Sequence, residues 1–563
     1  MAVAPTDPAA PADPAAPVAD VTAGPAPVVG SDPGDGPDRF PGRFPGRWPG
    51  RWPLLIVTAA FVVSRVAAWL AGVRLDASAL DGRFPSDQWQ LLDVVQLKDH
   101  LVDSVWHLNS QPPLYNVAVG LVLHLPTGLQ RPVEVVVALA LGLLIAVATY
   151  LLLVELRVPV VAALVVTVVG VVASPSYLLY ENWLSYAYPS AACGVVAALC
   201  LVRFLRTDRW GWGLGFFAAA STLVLLNSTY QVEWLVVVCA VCVVGARRHW
   251  RTVVAVALVP LLAVAVWTVK DAALFGTSTT SSWLGMNLAR MVLFEVPPDQ
   301  IAALERQGRI TPLASVPAFG APGAYVPRFV RARPSTVPVL GDLTKADGAT
   351  NFNNPLYIAV SSQYLHDDLA YIRAHPQAYA RDVGLAVRTW FTPPDQYFVI
   401  DPNWRHLGGY VRGYDAAVAW QPHVDPDVTI LTLFSHQAPP DTWLSAQQAL
   451  ITALALVGAP VLAWRRRRSD APMAATLGVL WFTLAYAFVV TSMLELGENE
   501  RFAFELGPVP LVAATVVATA LVRTLWRRTR RQSGADPDPV PVPVPVLVAD
   551  PVPAPVPAPG SIS

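Results

Sequence analysis

Hydrophobicity along this chain comes in long blocks. Apolar runs lie near 53–72, 112–126, 133–155, 159–178, 184–205, 211–227, 232–246, 252–269, 443–463, 473–493 and 503–524. Most approach the ~20 residues that a spanning helix needs. The pattern predicts an all-α polytopic membrane protein with about 10–11 transmembrane helices. Long polar stretches at 73–111 and 270–442 interrupt it, as do short turns at 179–183 and 494–502. The run 112–126 reaches only about 21 Å at 1.5 Å per residue, short of a ~30 Å hydrocarbon core. Either it is re-entrant, or the helices that follow it, up to residue 178, break at the Arg157–Pro159 step. Irregular backbone at membrane depth persists only where protein or a water-filled cavity covers it. The short run therefore points to a cavity beside "NSQPPL" and leaves the number of crossings open.

The polar stretches carry helical periodicity of their own. From Gln88 onward, Trp89, Leu92, Val95, Val102 and Val105 recur at helical spacing and predict helices lying along the membrane surface. In 270–442, Leu365, Leu369, Ile372, Tyr379, Val383 and Val387 predict a mostly helical cap. Its Pro, Ala and Gly rich part, 311–348, reads as a flexible insertion.

Composition agrees with a membrane chain. Of 563 residues, 54% are hydrophobic and 14% charged, with mean hydropathy +0.45, against about 25% charge in soluble domains. A net charge of −1 argues against a nucleic-acid partner. Cys193, Cys200, Cys239 and Cys242 all sit in apolar runs. The Cys239–Cys242 pair lacks companion ligands, so the thiols read as small core hydrophobes with no metal ligation.

Residues 1–38 and 527–563 are Pro-rich and read as disordered tails. No removable signal peptide is apparent at the amino end. The repeat spanning 39–52, "RFPGRFPGRWPGRW", suits the headgroup zone. Arginines at 43, 47, 51, 157, 206, 209, 247, 248, 251, 465–468, 527, 528, 530 and 531 mark one side of the membrane. The positive-inside rule places both termini in the cytoplasm of a multi-pass plasma-membrane protein, and the polar stretches outside. The chain then divides into a transmembrane module 53–269 with its first outside loop 73–111, the cap 270–442, and C-terminal helices 443–526.

Candidate chemistry gathers on the outside. The first loop carries Asp76, Asp81, Asp87, Asp93, Asp99 and Asp103. Most of these read as a solvated face, with one or two held at the lipid boundary, where desolvation makes a carboxylate a better base. Glu181 is the sole carboxylate of "SPSYLLYENWLSYAYPS", and an interfacial acid is a functional candidate. Arg501, in "LELGENERFAFELGPVPL", is suited either to clamping a phosphate or to a local ion pair. Arg65, inside the first span, reads as snorkelling, and Lys270 as a phosphate ligand or an anchor. The cap has no Gly-rich phosphate loop, no GxSxG and no HExxH, which weighs against nucleotide-dependent and hydrolase functions.

The order of these features resembles the GT-C superfamily of membrane glycosyltransferases, in the branch of protein O-mannosyltransferases and bacterial lipid-A sugar transferases. The matching segments are "QPPLYN" (111–116), "SPSYLLYENW" (174–183) and "ERFAFELGPVP" (500–510). Gln111 stands where that family most often has His, and the first loop lacks its Asp-Glu pair. The resemblance implies a GT-C-like bundle with extracytoplasmic helical loops and a polyprenyl-phosphate sugar as donor. It implies a protein, lipid or glycan acceptor, and it leaves a divalent metal open as cofactor. On it, Asp93, with Asp87 second, deprotonates the acceptor. Arg501, with Lys270 and Arg65, receives the phosphate, and Glu181 orients a hydroxyl. Asn109, Gln111, Pro112, Pro113, Asn182, Trp183 and Tyr186 line the pocket. A transporter or flippase, a surface-glycan polymerase or ligase, and a structural membrane protein are the competing classes. The chain shows no internal repeat of the kind transporters carry.

Overall fold

The computed structural model describes residues 51–76, 88–245, 250–331, 334–421 and 444–532. The predicted tail 1–38, residues 533–563 of the predicted tail 527–563, most of the 39–52 repeat, and Asp81 and Asp87 lie outside the described residues, whereas residues 527–532, read as disordered, continue the last helix.

The protein is an all-α polytopic membrane protein. Among the described residues seven helices are long and apolar enough to cross a membrane. They are α1 (Trp52–Leu70), α5 (Thr127–Glu155), α8 (Ala187–Thr207), α11 (Trp250–Phe275), α17 (Ala446–Arg466), α18 (Ala471–Leu494) and α20 (Val509–Gln532). Four shorter apolar helices accompany them: α4 (Pro113–Leu123), α6 (Val160–Val172), α9 (Trp210–Leu226) and α10 (Val232–Gly245). The first loop supplies α2 (Val94–Asp99) and α3 (Leu101–Trp106), as its periodicity predicts. α7 (Pro175–Tyr180) and α19 (Asn499–Glu505) are single short turns between spans. The cap contains α12 (Leu284–Val292), α13 (Pro298–Arg306), α14 (Leu356–Ala374), α15 (Pro376–Trp390) and α16 (Asp401–Tyr414).

Local chemistry explains the boundaries. α5 ends where Arg157 takes φ 64, and Pro159 caps α6, so the predicted break falls at that step. Asp93 caps α2 by accepting from Val95 N, and Asp470 caps α18 by accepting from Met473 N. α8 is the central helix, with 72% of its most apolar stretch buried. Its small residues Ala191, Ala192, Ala197 and Ala198 let neighbours approach closely. One close approach is at Gly507, where a Cβ would lie 2.8 Å from that of Ala191 and where φ is +56, a value glycine alone adopts freely.

Several boundaries differ from the sequence pattern. The run predicted at 133–155 begins six residues earlier, at Thr127, with Pro132 inside its first turns. The run predicted at 503–524 is split: α19 ends at Glu505, Gly507 turns the chain, and the span starts at Val509. Hydropathy merged these because Phe502, Ala503 and Phe504 continue the apolar run. In α14 the buried face is Val360, Tyr364, Asp367, Asp368 and Tyr371, while Leu369 is 40% exposed. Two buried aspartates disguised that face. The insertion 311–348 carries buried anchors among its described residues. Leu313, Tyr325 and Val339 are buried, and the Tyr325 hydroxyl donates to Pro317 O and accepts from Gly320 N.

Two of the arginines expected on one side of the membrane, Arg157 and Arg206, lie together at one end of the bundle. Glu155 accepts from Arg203 (3.2 Å) and Arg206 (2.9 Å). Asp470 lies 2.8 Å from Arg157 and 3.8 Å from Arg206, and Arg523 donates to the Arg157 carbonyl.

Candidate functional site

The polar centre of the molecule forms where three distant segments meet. Asp76, just after α1, pairs with the turn after α7: its N–H donates to Asn182 O (2.8 Å), and its carbonyl accepts from Leu184 N (3.4 Å). Gln88 donates to the Leu184 carbonyl at 2.7 Å and accepts from the Tyr115 hydroxyl. Tyr186, in the same turn, accepts from Arg501 Nη1 at 2.7 Å. First loop, second turn and third turn are thereby joined.

Gly497 (φ 101) and Gly507 bracket nine residues, seven of them helical, in which Glu498 and Glu505 face Arg501. Arg501 is buried and spends its donors locally. Nε and Nη2 go to Glu498 Oε2 at 2.9 and 2.6 Å, and Nη1 goes to Glu505 Oε1 at 2.5 Å. Of the two readings the sequence left open, the local ion pair is the one formed in the described chain. Asn227 donates to the other oxygen of Glu505 at 2.7 Å. Arg290, on α12 of the cap, contacts Glu495 and lies 3.7 Å from Glu498.

Burial opposes ionisation of all these acids, and their partners sort them. Glu498 feels both Arg501 and Arg290, and its carboxyl falls below the usual range. Glu505 is pushed up by burial, only partly offset by Arg501 and Asn227. Glu500 is pushed up to about 8, by burial first and then by Glu498. It is fully buried, and neither carboxylate oxygen has a hydrogen-bond partner.

Aromatic rings wall this cluster. Tyr180 stacks on Phe504 at 3.8 Å between centroids and meets Trp183 edge-on at 5.7 Å. Tyr397, from the cap, packs 5.6 Å from Trp183 and 6.4 Å from Tyr180. Behind Phe504 and Tyr188 (6.2 Å) sits a second polar centre. There Glu181 takes Arg65 Nη2 at 2.8 Å, Arg65 Nε at 3.1 Å and the Tyr188 hydroxyl at 2.7 Å. Arg65 also donates to Val172 O at 2.7 Å. It does not snorkel. A carboxylate from the next turn and a carbonyl freed by the π turn of α6 satisfy it where it stands.

Glu181, Asn182, Trp183, Tyr186, Arg65 and Arg501 are thus gathered together. Another set of predicted site residues forms a separate junction with the cap. The Asn109 amide donates to Asn353 O, while Asn353 Oδ1 accepts from Asn109 N (2.8 Å) and Ser110 N (3.1 Å). Pro112 and Pro113 open α4, and Gln111 is buried beside them. Lys270 contacts Asp271 at 2.5 Å and the Leu108 carbonyl at 2.8 Å, which makes it an anchor for this junction. Asp93 is half-buried, and both its oxygens are engaged, one by Val95 N and the other by Ala346 N at 2.7 Å.

Two cavities lie in the cap. One, of about 760 Å³, is lined by Glu295, Tyr371, His375 and Asp382 among others. The second, of about 290 Å³, has Arg290 in its wall, next to the Arg501 cluster. Among the described residues no three His, Cys, Asp or Glu side chains are grouped to hold a metal.

Sequence reasoning missed Arg290, Tyr397, Asn227, Glu505 and Asn353. A lone Arg in the apolar stretch "LGMNLARMV" was a usable signal for Arg290. The others carry none, because their partners lie far away along the chain.

No family model matches the chain, and no curated protein matches its sequence. Among solved structures it is similar to ArnT from Cupriavidus metallidurans in the apo state. Identity is 14%, covering 80% of this chain and 77% of that one, with a TM-score of 0.27. At that score the overlap decides neither fold nor chemistry, which rest on the residues above.

Proposed function

We propose that this protein is a membrane glycosyltransferase. It moves a sugar from a polyprenyl-phosphate donor to an acceptor hydroxyl on the non-cytoplasmic face of the plasma membrane, with both termini cytoplasmic. The observation that carries the reading is the Arg501–Tyr186 contact at 2.7 Å. It ties the 500–510 segment to the turn that follows 174–183, the Tyr180–Phe504 stack joins those two GT-C-like segments directly, and Asp76 joins the same turn from the first loop.

In this reading the acceptor oxygen attacks the anomeric carbon as the bond from that carbon to the phosphate oxygen breaks. The acceptor proton passes to a carboxylate, and the lipid phosphate leaves with the bonding pair. We assign the base to Asp76 in preference to Asp93, because Asp76 sits against the Glu181 turn while Asp93 spends both oxygens on backbone N–H groups. Arg501, backed by Arg290, receives the growing phosphate charge. Its bonds to Glu498 and Glu505 hold the guanidinium in place until the donor displaces a carboxylate. Glu505, whose ionisation burial already disfavours, is the partner that yields. Tyr180, Trp183 and Tyr397 offer ring faces for a sugar. Arg65 and Lys270 support the fold.

The test is incubation of the purified protein with a panel of polyprenyl-phosphate sugars, following release of polyprenyl phosphate. Cleavage of at least one donor, abolished by Asp76→Asn and by Arg501→Gln, is expected. Full activity in Asp76→Asn together with loss in Asp93→Asn would move the base to Asp93. No cleavage of any donor, or full activity in Arg501→Gln, would remove the reading.

A further inference from the structure

The larger cavity of the cap takes no part in the transfer chemistry above. It lies at the corner where α14 turns into α15, and the segment from the end of α12 to the start of α13 walls its other side. Its volume is about 760 Å³, within the ~300–1,000 Å³ of pockets that hold drug-sized ligands. Met291, Val292 and Tyr371 give it a buried apolar part, and Asp382 is the buried charge in its wall. Glu295 and Arg381 are exposed at its rim, with Arg381 Nε 3.8 Å from Asp382 Oδ1.

The lining narrows the occupant. Burial pushes the Asp382 carboxyl up to about 6, with Arg381 opposing this and Glu295 adding to it. Two carboxylates against one guanidinium disfavour an anion. Among the described residues no trio of acids and histidines is grouped to hold a metal. The walls are helices, so no sheet edge is offered to an extended peptide. Gln300, His375 and Gln377 interrupt the apolar groove that an amphipathic helix would need. What fits is a neutral ligand rich in hydroxyls. A carboxylate accepts two hydroxyls, a glutamine amide both donates and accepts, and a guanidinium donates in a plane. Tyr371 and His375 pack ring to ring in the same wall, centroids 4.7 Å apart, and supply an aromatic surface for the C–H face of a pyranose.

We propose that this cavity binds a neutral oligosaccharide, with Asp382 and Gln377 taking its hydroxyls and the Tyr371–His375 pair packing against a sugar ring. Binding here needs no lipid-linked donor, so the proposal does not rest on the transfer reading, and its failure would leave that reading standing.

The experiment is isothermal titration calorimetry of the full chain in a detergent without a sugar headgroup. The probes are maltotriose, mannotriose, cellotriose and the trimer of N-acetylglucosamine, with trigalacturonate as the anionic control and a hexapeptide of Gly, Ser and Gln as the peptide control. At least one neutral trisaccharide should bind with Kd below about 1 mM, and neither control should match it. Asp382→Asn and Gln377→Ala should each weaken binding by about fivefold or more, the worth of a lost hydrogen bond. His375→Ala should weaken it as well, and His375→Phe should retain it. Arg306→Gln, elsewhere in the cap, should change nothing. Gln377 is exposed, so its variant keeps the fold and decides the matter even if Asp382→Asn does not fold. No binding of any neutral trisaccharide, equal binding of trigalacturonate or of the peptide, unchanged affinity in Gln377→Ala, or an equal loss in Arg306→Gln would each overturn the proposal.

Discussion

Glu500 is the carboxylate whose titration should be most visible in stability. Its side chain is fully buried, both oxygens lack a donor, and burial with Glu498 nearby pushes it up to about 8. In the unfolded chain it returns to the ordinary 4.5. Between those values the folded protein binds the proton and the unfolded chain does not. Stability is therefore fullest at low pH and falls as pH rises from 4.5 towards 8. At ~1.4 kcal/mol per pH unit, the loss between pH 5 and pH 8 comes to roughly 3–4 kcal/mol. Glu500→Gln has the shape of the neutral acid and cannot ionise. Unfolding of wild type and variant should be followed in mild detergent at several pH values from 5 to 8.5. The two should agree near pH 5, and the variant should pull ahead as pH rises. A constant offset across the range would refute the argument, since it would mean that Glu500 does not change protonation with folding.

Other perturbations test the rest of the structure. Glu181→Ala strands Arg65 and should destabilise by about 3–5 kcal/mol, whereas Glu181→Leu with Arg65→Met should recover most of that in the same unfolding assay. Gly285→Ala places a Cβ 1.8 Å from the Ser361 carbonyl oxygen and 2.7 Å from Leu365 N, so α12 must move off α14. A loss of roughly 1–3 kcal/mol or more, read as earlier thermal unfolding of the cap, is expected. If donor phosphate displaces Glu505 from Arg501, donor affinity should tighten as pH falls, and Glu505→Gln should flatten that dependence. Titrating donor binding at three pH values decides this.

What the sequence made legible follows from what hydropathy can see. Long apolar runs appear as helices close to where they were read, so 473–493 becomes Ala471–Leu494. Polar or mixed turns at their ends escape, as with the six residues before 133 and the seven-residue helix that ends at Glu505. The site was legible as a set of segments and illegible as a set of partners. Glu181, Tyr186 and Arg501 stood out as charged or polar groups at span ends. Nothing local told that Arg65, 116 residues away, would meet Glu181. Nor did it tell that Tyr186 would reach across 315 residues to Arg501. Asp93 looked like a base because an acid before an amphipathic turn looks the same whether it activates a hydroxyl or caps a helix. Only the N–H groups of Val95 and Ala346 distinguish the two.

Asn353 has a consequence for any attempt to take the protein apart. Its side chain accepts from Asn109 and Ser110 and donates to the carbonyls of His107 and Val339, so one amide stitches the loop between α3 and α4 to the cap. The cap is therefore not a detachable module. Excising it, or grafting in one from another protein, would strand polar backbone on residues 107–110 unless those residues were exchanged along with it.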